Sequence, residues 1–390
     1  MHLFFPILPA IVAPVAQSSF DEAYLAISAG GIQKEGKALG ALGTVAGDTR
    51  VILRTNGSRA IWYVRASPTD DVALRFVHPD VKPNNPVVIG QSGWVAFAEQ
   101  FNSGTGFRWT VTNDGRQVGS GDFEYHFLPE KCRSQAGVPK GEMIQLPKIT
   151  SAIYPGTDRD IWVYVPNGYS KSKPACLMVF QDGQWAKNYM QPVFDNMIAS
   201  KEIPQIIGVF ITPGTYAGGR SNRSVEYDTL SPKYSEFLMT DVLPIVGAKW
   251  PYRDGAENRA IAGLSSGAIC AFTVAWERPD QFHKVLSWIG SYVNLQGGPT
   301  GIGGGHNYPT LIRKSKGNPK NIRVFLQDGI NDLDNPFGNW PLANMQMEKA
   351  FAYSGYDYKS VMGQGFHSDS HGKSLLPESL RWLWRGVKID

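Results

Sequence analysis

The run GLSSG, Gly263 to Gly267, separates an apolar stretch with strand character (RAIA, 259–262) from a longer apolar stretch with helix character (AICAFTVAW, 268–276). A serine between two glycines, at a strand-to-helix junction, has the pattern of a nucleophile elbow. The middle residue of such a turn takes a positive φ, and the residues two positions away must lack side chains that would collide across it. Gly263 and Gly267 meet that demand, which makes Ser265 the candidate nucleophile. Ser266 begins the helix, so its backbone amide is a candidate donor to an oxyanion.

A serine hydroxyl attacks a carbonyl only with a base to take its proton and an acid group to orient that base. In a chain of alternating strands and helices these should follow in the order serine, acid, histidine, each after a later strand. After the strand-like IRVFL comes QDGINDLD, with Asp328, Asp332 and Asp334; after YKSVM comes GQGFHSDSH, with His367 and His371. The chain has 7 histidines, so two in one late loop are informative. His283 and His306 read as structural residues of a helix end and a glycine loop. A second oxyanion amide is expected in the loop of CLMVFQDGQW, at Gly183 or Gln184. Arg220, Arg223 and Glu226, in GGRSNRSVEYD, form either a surface ion pair or a recognition element for a substrate oxygen.

The elements that must hold these groups can be read from periodicity. From Val51 to Phe127, short β-branched and aromatic runs alternate with turn signals at Asn56-Gly57 and Asn113-Asp114-Gly115. This predicts a small β-sandwich-like domain over 35–130, after a helix-then-loop lead-in. Residues 131–148 are aperiodic and proline-bearing and read as a linker. Beyond it, over 149–390, strands alternate with helices, which implies a mostly parallel, doubly wound sheet covered on both faces.

A hydrophobic share of 42% with 18% charged residues describes a globular chain with ample core. The net charge of +4 is spread out, with no basic cluster interleaved with aromatics, so nucleic acid is not an expected partner. Cys132, Cys176 and Cys270 are isolated, with no C-x-x-C spacing, so neither a zinc site nor a disulfide framework is expected. No metal or organic cofactor is signalled. The apolar start, residues 1–16, reads as an export signal cut after Ala16, giving a secreted or periplasmic protein; no later run is long enough for a membrane span.

The ordered motifs RDIWVYVP, VFQDGQ, NRSVEYD, AIAGLSSGAICAF, ERPDQFHKVLSWIGSY, LQDGIND and LPESLRWLW resemble the enterochelin (ferric siderophore) esterase branch of the esterase-D-like α/β-hydrolases. That branch is related to the feruloyl and acetylxylan esterases of carbohydrate esterase family 1 and to the mycobacterial mycolyltransferases. The resemblance covers roughly residues 149–386 and implies an α/β-hydrolase fold. It further implies a Ser265, His367, Asp332 triad, with Asp332 three residues after Gly329, and oxyanion amides from Ser266 and Gln184. Arg223 and Glu226 match the family's R-x-x-E element; Phe366 stands where the family has a second glycine before histidine. The implied substrate is a small-molecule or polysaccharide-linked ester, cleaved through an acyl-enzyme without a cofactor. Acyl transfer to an alcohol, and a binding protein that kept the fold, are the competing readings. Nothing in the sequence sets the oligomeric state.

Overall fold

The computed structural model describes residues 16–31, 33, 35–78, 80–297 and 303–389. All but the last residue of the leader expected at 1–16 lies outside the described residues. The chain divides into two compact units, Met1–Phe127 and Leu128–Asp390. Among the described residues no helix is long and apolar enough to cross a membrane.

The first unit is built from two antiparallel sheets. One has the strand order 51–56, 59–65, 94–100, 87–88; the other runs 72–77, 105–113, 116–125. Alternation sends Trp62, Phe97, Phe107, Trp109 and Phe123 into a shared aromatic core, where Trp62 and Trp109 meet edge to face at 6.1 Å. Helix Gln17–Ser28 covers the other face of the first sheet with Tyr24 and Ile27. Asp114 and Gly115 both take positive φ, 50° and 75°, which suits the two-residue turn joining the last hairpin.

The second unit is an eight-stranded sheet, in the spatial order 357–363, 323–329, 284–288, 259–264, 176–181, 206–211, 161–165, 142–145. The first six are parallel; strand 161–165 runs antiparallel to both its neighbours, so the edge strand 142–145 again points with the six. Strands such as Cys176–Gln181 and Ile206–Ile211 are buried throughout, because helices cover both faces. Helix Ser266–Glu277 packs on one face with Ile269, Phe272 and Val274 against Val179, Ile261 and Val285. Helices Gly183–Ala199 and Leu376–Trp384 cover the other with Met190, Val193 and Leu380. This is the α/β-hydrolase fold, mostly parallel and doubly wound. Cys132, Cys176 and Cys270 are free and buried.

The stretch 131–148 differs from the expected linker. Glu142–Gln145 is an edge strand, Trp162 pairing with Gln145 and Tyr164 with Met143. Prolines 139 and 147 flank it closely, and an edge position tolerates that where a central strand would not. A strand of four residues is too short for a period to be read.

Two glycines let the chain cross itself at the GLSSG turn. A Cβ on Gly263 would lie 2.1 Å from the Gly267 carbonyl, backbone that cannot yield; one on Gly267 would meet Asp182 Oδ2 and Gln181 Cβ at 3.1 Å. Gly263→Ala is therefore expected to cost about 3 kcal/mol of stability and Gly267→Ala about 1 kcal/mol. Urea denaturation of both variants checks the order; equal costs would contradict the crossing geometry.

Candidate active site

The three strands that end at 264, 329 and 363 deliver their loops to the same edge of the sheet, as ligand sites in open α/β sheets require. Ser265 lies at φ 59°, ψ −123°, between the strand Arg259–Leu264 and the helix Ser266–Glu277. Its amide donates to Trp288 O at 2.9 Å, and its carbonyl accepts from Ala268 N at 3.0 Å and Ser291 N at 3.2 Å. These bonds hold a conformation that a non-glycine residue adopts only under constraint. The side chain is turned outward and half-buried.

His367 Nε2 lies 2.8 Å from Ser265 Oγ, and His367 Nδ1 lies 2.6 Å from Asp332 Oδ1. Asp332 is buried, and its Oδ1 also accepts from Leu333 N at 2.5 Å. Of the histidines left open by spacing, His367 meets the serine. His371 is buried behind the loop, with Nδ1 2.9 Å from Gln327 Nε2. Of the aspartates, Asp334 is exposed in a two-residue strand, and Asp332 faces the imidazole.

Close backbone approach holds the acid and histidine loops together. A Cβ on Gly329 would lie 2.1 Å from Gly365 O. Ile330 N donates to Gly363 O at 2.9 Å, Asn331 N to Gly365 O at 3.2 Å, and Asn331 Nδ2 to Gln364 O at 2.8 Å. Glycine at 329 is thus a condition for the Asp332–His367 contact, although phenylalanine stands at 366.

Two further groups, not singled out by sequence, complete the surroundings of Ser265. Ser291 is fully buried, with Oγ 3.2 Å from Ser265 Oγ, and accepts from Trp340 Nε1 at 3.2 Å. The turn that carries it contains Ile289 at φ 43°, an outlier for a β-branched residue, fixed by Ile289 N to Gln327 O at 2.7 Å and Asn344 Nδ2 to Gly290 O at 2.9 Å. The only sequence signal was a hydroxyl after a strand, in SWIGSY, and serine is too common there to stand out.

The amide of Ser266 opens its helix, and Gly183 and Gln184 open the helix Gly183–Ala199; amides in a helix's first turn have no intrahelical acceptor. Asp182 precedes them in a left-handed conformation, φ 52°, and a Cβ on Gly183 would collide with Ile211 N at 2.3 Å.

The expected recognition residues have other partners. Glu226 has a fully buried side chain and accepts from Arg159 Nη1 at 2.8 Å and Nη2 at 3.2 Å, Asn222 Nδ2 at 2.9 Å and Gly214 N at 3.2 Å. A carboxylate so saturated has nothing left for a substrate. Arg223 grips Asp182, Nε to Oδ1 at 2.8 Å and Nη2 to Oδ2 at 2.7 Å. Arg220 is exposed, its guanidinium 4.0 Å over the Tyr216 ring.

Behind Asp332 stands a second buried carboxyl. Asp328 accepts from Gly329 N and Asn344 Nδ2, each at 2.8 Å, and its carboxyl lies close enough to Asp332 to feel that charge. Two neighbouring buried carboxyls resist ionising together. Burial, reinforced by the Asp332 charge, pushes Asp328 up to about 10, so Asp328 keeps its proton. An unfolded chain loses that proton near pH 4 and the folded one holds it to about pH 10, so the stability it contributes is present below pH 4 and drains away as pH rises. Asp328→Asn supplies a donor that does not titrate. Its melting temperature is expected to gain on the wild type steadily from pH 5 to pH 9; a gap that stays constant with pH would show Asp328 ionised.

Comparison with known proteins places this chain in a family. Residues 152–383 match the family model "Putative esterase". The iron(III) enterobactin esterase of Yersinia enterocolitica is 32% identical over 128 residues, 31% of this chain and 34% of that protein, so the chain spans about a third of that relative's length. The enterobactin esterase of Shigella flexneri, solved in the presence of 2,3-dihydroxy-N-benzoyl-glycine, superposes with a TM-score of 0.55 at 17% identity, covering 87% of this chain and 98% of that one. A ferulic acid esterase superposes with a TM-score of 0.52 at 20% identity, covering 63% and 98%. The family match takes in more than half of the chain, all three members of the Ser265, Asp332 and His367 cluster included, and the protein belongs to the esterase family.

Proposed function

We propose that the protein is a serine carboxylic-ester hydrolase that works through an acyl-enzyme. The observation that carries the reading is the unbroken hydrogen-bond line from Ser265 Oγ through both nitrogens of His367 to Asp332, at 2.8 and 2.6 Å. His367 takes the Ser265 proton as Oγ attacks the ester carbonyl, and Asp332 holds the imidazole in the required tautomer. Ser291 Oγ, which accepts from Trp340 Nε1, lies 3.2 Å from Ser265 Oγ; with Ser291 as donor in that pair, the Ser265 proton is directed at His367. The oxyanion is met by the amides of Ser266 and Gln184, each worth about 3 kcal/mol in such sites. His367 returns its proton to the leaving alkoxide, and water then repeats the sequence on the acyl-Ser265 ester.

The substrate proposed is an ester bearing a flat ring. A cavity of about 80 Å³ borders Gly263 and Leu264 and is walled by Trp185, Tyr189, Met190 and Trp288. Aromatic walls favour planar groups. An enterochelin-type ester is the first reading, in keeping with the Yersinia relative, and a feruloyl ester is the second, because the same walls suit it. The leader read at residues 1–16 would carry the enzyme out of the cytoplasm.

Hydrolysis of p-nitrophenyl acetate tests the chemistry. Ser265→Ala and His367→Ala are each expected to lower kcat by at least about 10⁴-fold, and Ser266→Ala, which keeps its amide, by less than about tenfold. Wild-type turnover by Ser265→Ala would sink the reading. Relative kcat/KM on a ferric siderophore and on methyl ferulate decides between the two substrates.

A further inference from the structure

The run RSVEYD, 223–228, lies beside the candidate site, and its polar side chains are turned toward protein. Arg223 holds both carboxylate oxygens of Asp182, at 2.8 and 2.7 Å. Tyr227 is fully buried, and its Oη accepts from the Asp182 amide at 3.3 Å. One short helix, Arg223–Tyr227, thus holds Asp182 by its backbone and by its side chain. Asp228 follows that helix; its carboxyl accepts from Ser224 Oγ at 2.7 Å and has the Ser266 hydroxyl beside it. Glu226 faces the other way and anchors the segment to Arg159.

These attachments converge on two places. Asp182 is the left-handed residue that turns the chain into the helix carrying the Gln184 amide. Ser266 carries the other candidate amide. Asp182 also abuts the start of the elbow helix, since a Cβ on Gly267 would come within 3.1 Å of Asp182 Oδ2. The segment therefore touches the supports of both donors.

We infer that residues 222–228 form a positioning strap that fixes the Gln184 and Ser266 amides relative to each other, and that Arg223 acts through Asp182 instead of through the substrate. The inference rests on the acyl-transfer reading above. Amide donors lower a barrier only when aimed at the place where the oxyanion forms, and a misplacement of about 1 Å can cost about 10²-fold in rate. Arginine suits the task because its planar fork fixes angle as well as distance on a carboxylate; lysine offers a point charge without that geometry.

The test uses the full chain with p-nitrophenyl acetate, and phenylboronic acid as a tetrahedral adduct former on Ser265. Arg223→Met is expected to lower kcat about 30- to 100-fold with KM within about twofold, and to weaken boronate inhibition by a similar factor. Arg223→Lys, which keeps the charge, is expected to recover only part of both losses and to melt at the wild-type temperature. If Arg223→Met does not fold, the lysine variant carries the test alone, through the same split between kcat and KM. A rise in KM with kcat unchanged would make Arg223 a substrate contact and overturn the inference, as would wild-type kcat and boronate inhibition in both variants. Failure of the acyl-transfer reading looks different: wild-type chain inert toward the ester, or Ser265→Ala as active as wild type.

Discussion

The backbone at Ser265 is the constraint on which the rest of the candidate site depends. At φ 59° and ψ −123° it occupies a region that costs on the order of 1–3 kcal/mol for a residue with a side chain. Two buried parallel strands on either side of Arg259–Leu264, together with the Gly263–Gly267 crossing, supply the rigidity that pays for this. The Trp288 carbonyl, from the neighbouring strand, fixes the Ser265 amide, so the turn is held by the sheet and not by its own loop. Any packing change along the central strands is therefore felt at Oγ.

Around that turn the fold places polar groups in its interior in matched sets. Arg159 and Glu226, Arg223 and Asp182, and Asp328 and Asp332 stand in pairs, most of them buried. A buried charge that loses its partner is strongly destabilising, commonly by about 3–5 kcal/mol, whereas a matched pair adds little net stability. Such pairs serve better as locators than as glue. The two ion pairs join segments far apart in sequence, 159 with 226 and 182 with 223, and so fix loops that the hydrophobic core alone leaves free to shift.

Much of the site was legible before any coordinates. The glycine spacing around Ser265 is a steric requirement, and Gly263 meets it in full. The order of acid and histidine after successive strands follows from parallel topology, which puts the ends of those strands on one edge. The chain could not be read where a residue's partner is distant in sequence. RSVEYD has the composition of a surface ion pair, and nothing local signals that Arg159 will take Glu226 or that Asp182 will take Arg223. Likewise Glu142–Gln145 is too short, and too closely flanked by proline, to show a period.

The sequence by itself determined the alternation of strands and helices, the aromatic sandwich before them, the elbow and the family, because each is written in local periodicity, turn chemistry or motif order. The tertiary structure brought Asp332, of the three aspartates, and His367, of the two histidines, into line with Ser265. It also brought Ser291 and Trp340 to the serine and turned Arg223 and Glu226 inward. Those choices depend on which loops touch, and loop contacts are set by close approaches such as Gly329 on Gly365, where two stretches some 35 residues apart meet only after the sheet has formed.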